Sequence, residues 1–126
     1  MYKLSTSSIS KMQGVHPDLQ RVMYEAIGHS PHDFCVTEGV RSAKRQKELY
    51  DKGLSLTMNS RHLTGHAVDI AIIKEGKAIW DFKLYEEVAT HIEAVAILCD
   101  VELIWGGRWR GLRDGPHYEL NRKVYA

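Results

Sequence analysis

Ser60-Arg61-His62-Leu63-Thr64-Gly65-His66-Ala67-Val68-Asp69 carries more chemical information than any other stretch of this 126-residue chain. It sets a histidine at the end of a polar loop and a carboxylate in the apolar run Ala67 to Ile73. A lone Asp between Val68 and Ile70 is expensive to bury unless a cation or several donors satisfy it. A zinc ion would do so, and Gly65 lets the chain turn until both side chains face one point. An Asp69 that faces solvent, or caps a nearby backbone, fits the same ten residues equally well.

Toward the C-terminus a second segment bears on the choice: Trp105-Gly106-Gly107-Arg108-Trp109, then Asp114-Gly115-Pro116-His117-Tyr118-Glu119. A catalytic zinc site needs three protein ligands, a position for water and a nearby carboxylate to take that water's proton. His62, Asp69 and His117 suit the first role. Asp114 suits the last, because a Gly115-Pro116 turn can fold it back toward the metal, although an isolated Asp-Gly-Pro run is ordinarily just a turn.

The elements around these segments follow from periodicity. Residues 1–16 are polar and weakly patterned, an ordered lead-in. Pro17 opens a helix with Leu19, Val22, Met23, Ala26 and Ile27 on one face and Gly28 near its end. Phe34 to Glu38 reads as a strand. Ser42 caps a helix from Ala43 to about Asp51 that Gly53 stops. Leu54 to Gly65 reads as a long loop, Ala67 to Ile73 as a strand, and Lys74 to Lys77 as the turn of a hairpin into Ala78-Ile79-Trp80. The longest helix spans about Lys83 to Cys99, with Leu84, Val88, Ile92, Val95 and Cys99 on its apolar face. Val101 to Trp105 is a strand, Gly106 to Gly111 a loop, and His117 to Leu120 the last strand. Helices interleaved with a small, mostly antiparallel sheet make an α+β domain, and the length suits a single one, residues 1–126.

Composition narrows the function classes. The chain is 44% hydrophobic and 26% charged, as in a soluble globular protein, and its formal charge of +1 lacks the basic surplus of a nucleic-acid binder. Cys35 and Cys99 lie in apolar runs without metal or redox spacing, and read as reduced core residues. The N-terminus has no continuous apolar stretch of the secretory kind, and no run approaches the ~20 apolar residues of a membrane span. The expected location after synthesis is the cytoplasm, with no membrane insertion.

Taken together, the two segments resemble the peptidoglycan-cleaving zinc peptidases, the family of D-alanyl-D-alanine carboxypeptidases and L-alanyl-D-glutamate endopeptidases. The pattern Ser-x-His-x-x-Gly-x-Ala-x-Asp is met by Ser60, His62, Gly65, Ala67 and Asp69, and the third ligand corresponds to His117. The closer likeness is to bacteriophage endolysins, with Trp-Gly-Gly-x-Trp followed by Asp-x-Pro-His-aromatic-Glu. The resemblance implies a Hedgehog-like fold and one catalytic zinc ion on His62, Asp69 and His117. It implies Asp114 as general base and Arg41 as the partner of the oxyanion. It further implies Gln46 in support of Arg41, and hydrolysis of a stem peptide at the L-alanyl-D-glutamate bond. Ser60 is expected to orient the loop or a ligand, and Trp105, Trp109 and Tyr118 either line the cleft or pack the core. His62 and His66 have the i, i+4 spacing of helical zinc peptidases, but the intervening Glu is absent and Gly65 interrupts a helix, so His66 is expected beside the site without ligating. Arg108 stands where that family has an acid. The remaining histidines, His16, His29, His32 and His91, are expected in solvent.

Other readings of the same residues are cleavage after D-alanine, a partner-binding module of the Hedgehog type, and a closed structural zinc site. As an endolysin, the chain is expected to act as a monomer without a separate wall-binding domain. It is also expected to depend on a membrane-disrupting protein for access to the wall.

Overall fold

Strands and helices follow one another along the chain as α1 (Thr6–Lys11), α2 (Pro17–Ile27), β1 (Asp33–Glu38), α3 (Ala43–Asp51), β2 (Ala67–Lys74), β3 (Lys77–Ile79), α4 (Phe82–Leu98), β4 (Leu103–Trp105) and β5 (His117–Leu120). The structure is a computed structural model that describes residues 1–55, 57–111 and 113–126. All pairings are antiparallel and the order is β1-β2-β5-β4. β3 pairs with Ile72 to Lys74 of β2, beyond the Ala67–Asp69 stretch taken by β5. No helix among the described residues is long and apolar enough to cross a membrane.

Strand parity divides the sheet into two faces. Val68, Ile70 and Ile72 of β2, with Tyr118 and Leu120 of β5, join α2 and α4 in one apolar core. Each large aliphatic side chain buried there contributes about 1.5–3 kcal/mol. The other face carries Asp69 opposite His117 and Ala67 opposite Glu119. The sheet thus separates a greasy helical layer from a polar face bearing the candidate ligands.

One irregularity moves a charge between these faces. Val36 pairs with Ile70, but Glu38 pairs with Asp69, so Thr37 is an extra residue in β1. Without this bulge Glu38 would share the core phase of Phe34 and Val36; with it, Glu38 stands across from Asp69. β1 is also an edge strand, and α1 covers it: the buried Ser8 Oγ accepts the Val36 N–H at 2.9 Å.

Several sequence expectations are corrected here. The lead-in contains α1, and the loop before β2 contains a 3-10 turn, Arg61–Thr64, capped by Ser60. The buried face of α4 runs through Tyr85, Val88, Ala89, Ile92 and Ala96, one position round from the predicted stripe, leaving Leu84, Val95 and Cys99 half-buried. Both cysteines are free and neither lies fully in the core. Cys35 follows strand parity away from Phe34 and Val36, and Cys99 is the C-cap of α4. Three of the four histidines expected in solvent have partners. His16 caps α2, His32 meets Glu87 at 2.6 Å, and His91 reaches the Ala26 carbonyl at 2.8 Å.

Gly65 ends the 3-10 turn at φ +77°, and a Cβ there would stand 2.6 Å from the Gly14 carbonyl oxygen. Positive φ is costly for a side-chain-bearing residue, and the close backbone neighbour adds to it. Gly65→Ala is expected to lose about 2 kcal/mol of stability in a urea melt; a wild-type midpoint in that variant would show that the turn relaxes freely.

Candidate metal centre

The 3-10 turn after Ser60 and the bulge in β1 are tied together through His62. Ser60 Oγ accepts the His62 backbone N–H at 3.2 Å, and the Arg41 N–H donates to the His62 carbonyl at 2.9 Å. The His62 ring donates from Nδ1 to the Gly39 carbonyl at 2.8 Å. Its Nε2 is therefore left as the free lone pair. That atom is buried without a hydrogen-bond partner and lies 3.3 Å from Asp69 Oδ1.

His117 enters from the neighbouring strand and places Nδ1 3.0 Å from the same Asp69 oxygen. Its Nε2 is 2.9 Å from Glu119 Oε1. Residues 117 and 119 share a face of β5, which is what brings the glutamate behind the imidazole. Glu119 thereby turns His117 so that Nδ1 faces His62 and Asp69.

His62, Asp69 and His117 offer one donor atom each, all within 4.8 Å of one another, and among the described residues they form the one cluster of this kind. A tetrahedral ion with bonds of 2.0–2.2 Å has ligand separations of about 3.3–3.6 Å. The 3.3 and 3.0 Å separations found here are close to that spacing before any ion draws the donors into place. Two histidines, one carboxylate and an orphaned buried lone pair fit a divalent metal ion.

Without the ion, the cluster shares protons instead. Burial would push the Asp69 carboxyl up, but the hydrogen bond from His117 and the two imidazoles beside it hold it well below the usual carboxylate range. Burial opposes the charge on His117, yet the bonds to Asp69 and Glu119 prevail and raise it to about 9. A metal ion must displace that proton from Nδ1. Its apparent affinity is expected to climb as pH rises toward about 9 and to flatten above, with proton release on binding. Competition titrations with zinc across this range provide the check; a flat profile would mean that His117 is not a ligand.

The cluster lines a cleft of about 790 Å³ together with Glu38, Arg41, Ser60, Trp80, Trp109 and Asp114, among others. Arg41 is buried and held as a fork: Nε and Nη2 donate to the two Glu38 oxygens at 2.7 Å each, and Nη1 donates to Gln46 Oε1 at 2.7 Å. Gln46 is fully buried and its Nε2 donates to Ser55 Oγ and the Thr57 carbonyl. Arg41 Nη2 is also 3.7 Å from Asp69 Oδ2, so one guanidinium offsets two carboxylates that strand pairing sets side by side.

Asp114 is half-buried at the mouth of the turn that leads into β5. Its N–H donates to the Gly106 carbonyl at 3.0 Å, and its carbonyl accepts the His117 N–H at 3.2 Å. A Cβ on residue 106 would stand 2.6 Å from the Asp114 carbonyl oxygen, so only glycine allows this approach. Burial raises the Asp114 carboxyl above its ordinary value, and the Asp69 charge raises it further.

The structure brings Ser60, Arg41 and Asp114 into the cleft with the cluster, seats Gln46 behind Arg41, and leaves His66, Trp105 and Tyr118 outside the cleft. His66 falls on the opposite side of the chain from Asp69, with Nδ1 2.7 Å from Thr64 Oγ1 and its ring 5.7 Å from that of His16. Trp105 and Tyr118 pair across β4 and β5 on the core face and are buried there. Trp105 still braces the site from beneath, donating from Nε1 to the Gly115 carbonyl at 2.7 Å. Of the three aromatics considered, Trp109 alone reaches the cleft, its ring 5.1 Å from that of His117. Arg108 turns away and forms a two-pronged pair with Glu93 of α4 at 2.7 Å. Glu38 and Glu119, by contrast, had no role assigned from sequence.

Comparison with known proteins gives a consistent set of relatives. Residues 1–126 match the family described as phage L-alanyl-D-glutamate peptidase. An L-alanyl-D-glutamate peptidase of Escherichia phage T5 is 29% identical, the match covering 94% of this chain and 98% of that protein. The peptidoglycan L-alanyl-D-glutamate endopeptidase CwlK of Bacillus subtilis is 35% identical over 84% of this chain and 73% of its own length. The crystal structure of the L-Ala D-Glu endopeptidase ChiX of Serratia marcescens superposes with a TM-score of 0.90 at 41% identity, covering 97% of this chain and 92% of that one.

Proposed function

Because this chain belongs to the phage L-alanyl-D-glutamate peptidase family, we propose that it is a zinc endopeptidase that cuts the L-alanyl-D-glutamate bond of peptidoglycan stem peptides. The observation that carries the metal assignment is the buried, unpartnered His62 Nε2, aimed at Asp69 and His117 with Asp114 lining the same cleft. His62, Asp69 and His117 hold the ion, which when bound supplies Lewis acidity and makes water acidic enough to ionise near neutral pH.

The remaining steps fall to the chain's own groups. Asp114 accepts a proton from the attacking water and returns it to the leaving amine, a task suited to a carboxyl whose pKa is raised. Arg41 has three of its five N–H groups committed to Glu38 and Gln46. One hydrogen on each terminal nitrogen remains for a substrate oxygen that gains negative charge, and Glu38 fixes the fork in place beforehand. Glu119 keeps His117 in the orientation that presents Nδ1.

In this reading the chain acts on the wall as phage lysins do, and reaches it only after a separate membrane-disrupting protein opens the way. The deciding experiment treats purified peptidoglycan with the chain, with and without chelator, and identifies the new amino terminus by mass spectrometry. Chelation should abolish the release of D-glutamyl amino termini and added zinc should restore it. Termini from D-alanine instead would make the protein a carboxypeptidase, and zinc binding with no cleavage would make it a binding module.

A further inference from the structure

Trp80 is a second feature of the cleft, one that the hydrolytic mechanism does not use. β5 and β3 share one edge of β2: β5 pairs with residues 67–69, β3 with residues 72–74, and β1 occupies the other edge. The two strands run the same way along that edge, end to start: β3 stops at Ile79 opposite Ile72, β5 starts at His117 opposite Asp69, and between them the Pro116 carbonyl accepts the Ile70 N–H at 2.9 Å. Trp80, the next residue after β3, therefore arrives against the chain that enters His117.

Its indole is held flat. It lies nearly parallel to the Tyr85 ring, at an interplanar angle of 4° and a centroid distance of 6.0 Å. Tyr85 itself is locked, its hydroxyl donating to the Ile79 carbonyl at 2.7 Å and accepting the Ile72 N–H at 3.0 Å. Nevertheless Trp80 is 63% exposed and lines the cleft. A single exposed apolar side chain is unremarkable, but a fixed aromatic plate open toward a reaction cleft is a preformed stacking surface.

We propose that the open part of the Trp80 indole is a subsite for the N-acetylmuramyl ring of the glycan strand. The inference rests on the L-alanyl-D-glutamate reading above and adds the part of the substrate that lies beyond the peptide. In peptidoglycan the L-alanine nitrogen is acylated by the lactyl group of that sugar. The pyranose therefore sits only about 7 Å of extended chain, two residue lengths, from the scissile bond. The apolar C–H face of a pyranose packs on an indole plane, and the Trp80 plate, which lines the same cleft as His117, is placed to receive it. The enzyme would then prefer stem peptides still attached to sugar over free peptides.

The test compares two substrates, the stem tripeptide carrying N-acetylmuramyl and the same peptide carrying a simple N-acetyl group. The wild-type ratio of kcat/KM is expected to favour the muramyl substrate by about tenfold, the scale of one good aromatic stack. Trp80→Ala should bring that ratio close to one, and Trp80→Phe should keep part of it. A wild-type ratio near one, or a ratio that Trp80→Ala leaves unchanged, overturns the subsite. Binding of the products decides the matter independently of turnover. The zinc-loaded protein, titrated by NMR, should take N-acetylmuramyl-L-alanine more tightly than N-acetyl-L-alanine, and Trp80→Ala should erase the difference. If the wild type cuts neither peptide, the endopeptidase reading fails, while this titration still supports or overturns the sugar subsite.

Discussion

Asp114→Ala is expected to lower kcat on the stem peptide about a thousandfold while the protein stays folded and binds one zinc ion. The carboxylate lines the cleft but is not one of the three clustered donors, so its loss removes proton transfer and leaves the metal ligands in place. Its position is set by backbone, through the Gly106 carbonyl and the His117 N–H, and a side-chain change does not disturb those bonds. The pH profile follows from the same environment. Burial, then the Asp69 charge, raises the Asp114 pKa from 3.8, and a base works only when ionised. Activity should therefore rise with pH as Asp114 ionises, through a value above 3.8, and Asp114→Glu should recover part of it. Stability should move the other way. A carboxyl with a raised folded pKa disfavours its own ionised form, a cost that is absent below 3.8 and grows as pH rises through the folded value. Asp114→Asn should leave the metal-free protein at neutral pH as stable as the wild type or more so, in a urea melt. Loss of zinc together with activity would instead make Asp114 a ligand.

What could be read from the sequence was whatever depends on local spacing. His62 and Asp69 are bound to each other by a glycine turn and a strand start, and His117 by an Asp-Gly-Pro turn, so all three keep their relation in any fold that pairs the two strands. Arg41 and Gln46 were legible only through the family resemblance, since nothing local sets an arginine and a glutamine on those positions apart from surface residues. Glu119 carried a usable signal, since strand residues two apart share a face. Glu38 carried a misleading one: its phase in β1 is that of Phe34 and Val36, and only the bulge at Thr37, seen once β1 lies on β2, sends it to the site. His66 was misplaced, and Trp105 and Tyr118 were left open between cleft and core, for a related reason, because which face of a strand looks into the cleft depends on where the helices pack. α1 escaped notice because it is six residues long with one buried side chain, Ser8, whose role is to cover the backbone of an edge strand.

Asp69→Ala is expected to be the most damaging single change, because three groups converge on that carboxylate. His117 Nδ1 is 3.0 Å away, His62 Nε2 3.3 Å and Arg41 Nη2 3.7 Å. As a ligand, its loss should weaken zinc binding by more than about a hundredfold, since even a group behind a ligand is worth ten to a hundredfold. The metal-free fold should suffer as well, by about 3 kcal/mol near pH 6, for removal of one partner of a mostly buried ion pair. The pH dependence separates this from simple packing loss. Asp69 has a lowered folded pKa, so its contribution is complete above 3.8 and is lost as pH falls toward the folded value. His117 has a raised one, so its contribution is complete below 6.5 and is lost as pH rises through about 9. The gap in stability between wild type and variant should therefore be widest between 3.8 and 6.5 and shrink toward 9. Urea melts of both metal-free proteins at several pH values measure that gap directly. A gap that is constant across the range would assign Asp69 a packing role. Zinc bound as tightly by the variant as by the wild type would remove Asp69 from the ligand set and leave Glu38, its neighbour across the bulge, as the carboxylate to examine next.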